Sequence, residues 1–130
     1  MPYEVSEYME GRVIYMRGEG IITVQDLQMA AEEIATYLQQ VSPQVVHLFH
    51  NGLTIVELPI DVVAASKAAQ VALQQPNLGW VIHVSDKGFV NFIASVVAQA
   101  AKVRFSAFED EDDAWQFLRS RDESLEEFIQ

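Results

Sequence analysis

The sequence predicts a mixed α/β fold, a mostly parallel sheet of about five strands in the order β-β-α-β-α-β-α-β-α. Three observations predict it. The chain opens on two extended segments joined by Glu10-Gly11. Short β-rich runs, QVVHLFH and GWVIHVS, are separated by stretches with helical features. Helix start and stop signals bracket those stretches. A strand that is followed by a helix and then by another strand demands a right-handed crossover and parallel pairing, while the opening hairpin adds an antiparallel strand. A length of 130 residues fits one domain, 1–130, with a single core.

Each element has a local cause. Residues 3–9 and 12–17 read as the hairpin, and Gly18-Glu19-Gly20 as its end. Thr23 and Asp26 have the spacing of a capping box. Leu27, Ala31, Ile34, Leu38 and Val41 then repeat every three or four residues, one apolar stripe over about 24–41, and Ser42-Pro43 stops it. Residues 44–50 form the next strand, and Asn51-Gly52 is a turn signal after it. A second helix fits 59–75, with Pro59 in its first turn and Pro76 beyond its end. Residues 79–85 make a strand, Asp86 is a candidate cap, and 87–101 a third helix. Residues 103–108 make the last strand. The acids at 110–113 open a fourth helix to about residue 120, and a helical turn through Leu125, Phe128 and Ile129 follows.

Composition removes several functions. There is no cysteine, so a disulfide, a thiol nucleophile and a thiolate metal site are excluded, which fits a cytoplasmic location. A net charge of −11 repels phosphate backbones and anionic headgroups, so no nucleic acid partner is expected. No apolar run reaches the roughly 20 residues of a membrane span, so no membrane insertion is expected.

The chemical candidates weaken on inspection. His47 and His50 lie three apart in a strand, so they point to opposite faces, and His83 can meet only one of them. EDEDD lacks the glycine and the distal glutamate of a calcium loop. Gly18-x-Gly20 lacks the rest of a phosphate loop. Ser66 and Ser95 fall inside helices, and Ser85-Asp86-Lys87 offers consecutive residues that do not converge on one atom. The expectation is no catalytic residue, no metal, no cofactor and no enzyme. More informative is the third helix, whose stretch GFVNFIASVVAQAA carries no charge, while the second has only Lys67. A helix without a charged face packs closely or meets another molecule. A homodimer through these helices and an apolar ligand held between helices and sheet are both expectations.

The element order, GIITVQDL at 20–27, QVVHLFHNG at 44–52 and VRFSAFEDEDDAWQFL at 103–118 resemble the STAS-like domains, specifically the SpoIIAA-like group of anti-sigma-factor antagonists. The resemblance spans nearly the whole chain and implies a single STAS-like domain that regulates by binding a protein partner. In the antagonists a serine that follows an aspartate, between the third strand and the second helix, is phosphorylated to switch binding. The matching segment here is His50, Asn51, Gly52, Leu53 and Thr54, with no serine. The resemblance makes these five residues a partner-binding loop without the usual serine phosphoswitch.

Overall fold

The structure is a computed structural model and describes residues 2–128. β1 (Tyr3–Met9) pairs antiparallel with β2 (Val13–Ile21). β3 (Val46–Glu57), β4 (Leu78–Val84) and β5 (Arg104–Phe108) follow in parallel, so the five-stranded sheet keeps its sequence order, β1-β2-β3-β4-β5. Helices α1 (Val24–Val41), α2 (Val62–Leu73) and α3 (Gly88–Ala101) bridge the three parallel steps. The sheet grows in one direction, so crossovers of one hand place these helices on one face. α4 (Glu111–Arg121) covers the other face and leads into a 3-10 segment, Glu123–Phe128.

Both faces are buried, and strand alternation sorts the side chains between them. Ile14, Leu48 and Val81 meet Ile34, Leu38 and Ile93 on the three-helix face. Val13, Phe49, Ile82 and Val84 meet Ala114, Leu118 and Leu125 on the α4 face. Adjacent residues such as Leu48 and Phe49 thus feed opposite cores. The tail expectation holds at Leu125, which is fully buried, while the Phe128 side chain and Ile129 lie outside the described residues.

Two strands run further than the sequence suggests. β2 passes through Gly18-Glu19-Gly20 because Gly18 answers crowding, not a turn. A Cβ there would lie 2.6 Å from Ile55 Cδ1 and 2.8 Å from Tyr3 Cε1. β3 continues through Asn51-Gly52 to Glu57. Arg17 pairs with Asn51 but Glu19 with Thr54, so β3 holds one extra residue and bulges instead of turning. The segment expected to be a loop, His50 to Thr54, is therefore strand. It keeps its ladder to β2, and the Thr54 hydroxyl donates to Gly18 O at 2.7 Å.

The helix starts divide into two kinds. Thr23 and Asp26 form the reciprocal box, with bonds of 3.1 and 2.9 Å, and Asp110 Oδ1 accepts from the Asp113 N–H at 2.9 Å. α2 begins later than Pro59, because Asp61 caps it by accepting from the Ala64 N–H at 3.0 Å. Asp86 does not cap α3. The N-cap is Lys87, which makes no side-chain cap bond, and buried Ser85 ties the start of the helix down instead, its Oγ accepting from the Lys87 N–H and its carbonyl accepting from Asn91 Nδ2, both at 3.1 Å. Among the described residues, no helix is long and apolar enough to cross a membrane.

Candidate functional site

Parallel pairing brings the carboxyl ends of β2 to β5 to one edge, where open α/β sheets bind their ligands. The β3 extension lies there. Asn51 is buried and points to the α4 face. Its Nδ2 donates to Tyr15 Oη at 2.8 Å and to Glu111 Oε1, and its Oδ1 accepts from the Leu53 N–H at 2.9 Å. Gly52 is buried, and a Cβ there would press on Val84 O at 3.2 Å and His83 Cε1 at 3.3 Å, so the position favours glycine. The Leu53 carbonyl accepts from Lys87 Nζ at 3.1 Å, which ties the bulge to the start of α3. Of the five expected contact residues, Thr54 is exposed, Leu53 and His50 are half-buried, and Asn51 and Gly52 are interior. The structure thus brings the five together but presents mainly Thr54 outward.

The same edge carries a feature that sequence reading missed. Ile21 ends β2, Val56 is near the end of β3, Ile60 lies in the β3–α2 connection, Val63 opens α2, and Phe89 and Phe92 open α3. All six are at least half exposed, from 51% at Phe89 to 82% at Ile60. Exposed Glu19, Glu57, Asp61 and Asp86 occupy the same edge. The available signal was GFVNF, two phenylalanines in the first turns of a helix without charge.

The histidines fall on opposite faces, as their spacing requires. His47 faces α4 and is fully engaged. Its Nδ1 accepts from the Trp80 N–H at 2.9 Å, which leaves Nε2–H to donate to Asp122 Oδ2 at 2.7 Å. Partial burial pushes the Asp122 carboxyl up, but hydrogen bonds from His47 and Ser124 and the Arg12 charge bring it down to about 2. Burial outweighs Asp122 at His47 and lowers its pKa. His50 and His83 face the helices and are register partners of β3 and β4. Their Nδ1 atoms lie 2.9 Å apart. Burial and the His83 neighbour hold His50 well below the ordinary imidazole value, and burial brings His83 to about 4 although Asn91 draws it upward. Both rings are neutral at pH 7, so one Nδ1 carries the shared proton and the other accepts it.

These two rings line a partly open apolar cavity of about 100 Å³ between the sheet and α2 and α3. Tyr3, Leu48, Ala65, Ala94 and Phe105 also line it. No Asp, Glu, Lys or Arg does. Among the described residues, His50 Nε2, His83 Nε2 and Tyr3 Oη are buried without a hydrogen-bond partner. Burial raises the Tyr3 pKa, with the charge of Asp26 adding to it, so its hydroxyl stays protonated. The arrangement can hold an apolar body and offer it both donors and acceptors.

The acidic run and Ser95 have structural partners. EDEDD caps and opens α4, and Glu111 accepts from Tyr15 Oη at 2.9 Å. Ser95 Oγ accepts from Gln99 Nε2 at 3.2 Å. Among the described residues, no group of three or more His, Cys, Asp or Glu side chains could hold a metal ion.

No family model matches the chain, and no curated protein matches it in sequence. Solved structures do match in shape. An uncharacterized protein of the DUF3478 family with a SpoIIAA-like fold, from Shewanella loihica PV-4, superimposes with a TM-score of 0.63 at 14% identity, over 89% of this chain and 91% of that one. The anti-sigma factor antagonist SpoIIAA in its unphosphorylated form gives 0.60 at 12% identity, over 91% of this chain and 96% of that one. At such identities the likeness concerns architecture, and it agrees with the strand order and helix placement above: the chain has the SpoIIAA-like fold.

Proposed function

We propose that this chain is a non-enzymatic regulatory module that binds a protein partner on the carboxyl edge of its sheet. The supporting observation is the exposed group Ile21, Val56, Ile60, Val63, Phe89 and Phe92, with acids beside it. An apolar patch with a charged rim is the anatomy of a docking surface. The partner it fits has an apolar patch ringed by Lys or Arg. Thr54 stands beside this group, and Asn51 and Gly52 shape the strand beneath it. The connection from Leu58 to Asp61 contains no hydroxyl, which supports recognition without a serine phosphoswitch. Acids on both sides disfavour two copies meeting edge to edge. The homodimer therefore belongs to the outer surfaces of α2 and α3, and light scattering that shows only monomer at micromolar concentration removes it.

The experiment is partner capture with the wild-type chain and with Ile60→Asp and Phe92→Asp together. The reading expects a protein that the wild type retains and the variant loses, at unchanged melting temperature. Equal retention by both chains overturns it.

A second reading has its own observation. The apolar cavity beneath α2 and α3, with its unpartnered polar atoms, supports the binding of a small apolar molecule between helices and sheet.

A further inference from the structure

Resting on that ligand reading of the cavity, we infer that its ligand is a small uncharged molecule with one hydroxyl on an apolar body of about four to six carbons, an alcohol or a phenol. Size sets the first limit. The cavity measures about 100 Å³. An apolar cavity of about 150 Å³ admits benzene. Ala65 and Ala69 on α2 and Ala94 and Ala98 on α3 line it, and alanine has no rotamer to swing aside. A ring or a short chain fits with small helix shifts, whereas a long acyl chain requires the helices to part.

Charge sets the second limit. No ionised side chain lines the cavity, so neither a carboxylate nor an ammonium would find a counter-ion.

Proton placement sets the third. The Asn91 amide is oriented by its Nδ2, which donates to Ser85 O at 3.1 Å. Its Oδ1 therefore faces away from that bond and favours a proton on His83 Nε2, although it closes no hydrogen bond of ordinary geometry. His83 Nδ1 is then the acceptor of the 2.9 Å contact and His50 Nδ1–H the donor. That leaves His50 Nε2 as a bare lone pair. Tyr3 Oη brings a donor into the same lining, the two rings lying 5.6 Å apart by their centroids. A hydroxyl both donates and accepts, so one group answers His50 and Tyr3 together. An ether or a ketone cannot donate to His50, and a hydrocarbon answers neither.

The test titrates the full chain with phenol and, separately, with toluene, which keeps the ring but lacks the hydroxyl. Binding is read from backbone amide and imidazole nitrogen resonances. Phenol is expected to shift the signals of His50, His83 and the lining alanines, and toluene to bind at least about tenfold more weakly. Ala94→Leu fills the cavity and should abolish both titrations while amide dispersion stays native. His50→Phe, read in the same way, should erase the preference for phenol. Equal affinities for phenol and toluene overturn the hydroxyl assignment and leave the cavity reading standing. Binding of neither, with the lining resonances unmoved, overturns both.

Discussion

The two faces of the sheet treat the same residue type in opposite ways. On the α4 face His47 is hydrogen-bonded at both nitrogens, and its tautomer is dictated by the Trp80 N–H and Asp122. On the same face aromatic rings close up, Phe49 and Trp115 stacking at 4.2 Å and Tyr8 and Trp115 at 4.3 Å between centroids. On the three-helix face the Nδ1 atoms of His50 and His83 meet each other beside a cavity, and among the described residues neither Nε2 closes a hydrogen bond. A satisfied buried polar group fixes structure, whereas an unsatisfied one marks a place where something else can bind. The comparison teaches that α4 locks the sheet and that α1 to α3 leave it receptive.

The largest effect expected on the locked face comes from Phe49→Ala. Phe49 is fully buried between stacked rings, so its loss should cost about 3–5 kcal/mol in denaturant unfolding. A loss below about 1 kcal/mol would mean that this face is not the tight one. Next is Asp122→Asn, which removes the charge that Arg12 and His47 share at 2.8 and 2.7 Å. It should cost about 1–3 kcal/mol at pH 7, and an unchanged unfolding midpoint would show the contact to be superficial.

Acidification sharpens the contrast. His50 and His83 have folded pKa values below the unfolded value of 6.5, so the unfolded chain binds more protons as pH falls. Their stabilising effect is complete above pH 6.5 and is lost from there down toward about 4, where His83 itself titrates. Asp122 contributes above 3.8, and its share is lost only as pH falls toward about 2. Replacing both members of the pair by Phe should reduce the slope of the unfolding free energy between pH 6.5 and 4 to the share left by His47, and an unchanged slope assigns it elsewhere. The smallest effect is that of Thr54→Glu. Thr54 is exposed and loses one hydroxyl bond to Gly18 O, about 0.5–1.5 kcal/mol, while partner capture falls. Intact capture moves the docking surface away from β3.

Most of the fold was legible because its causes are local. The Thr23 box, the stripe from Leu27 to Val41 and the Asp110 cap work within a few residues of sequence, and the helices sit where they pointed. The misreadings share a tertiary cause. Gly18 is glycine because Ile55 and Tyr3 crowd it, and Asn51-Gly52 bulges because β2 supplies a ladder beyond it. Neither neighbour is near in sequence. Period two assigned His47 and His50 to opposite faces, but that His50 meets His83 follows from the β3–β4 register, which no single strand encodes. The cavity is likewise a sum of small gaps under alanines on two helices.

The most direct test of the receptive face is a pH titration followed in a long-range proton–nitrogen spectrum of the three imidazoles. The account predicts neutral rings at pH 7, His47 with its proton on Nε2, and His50 and His83 as opposite tautomers. It predicts no protonation of His83 until about pH 4. Ordinary titration of both His50 and His83 near 6.5, with the two tautomers exchanging freely, would contradict it: solvent would then reach the pair, and the three-helix face would hold no proton-ordered pocket.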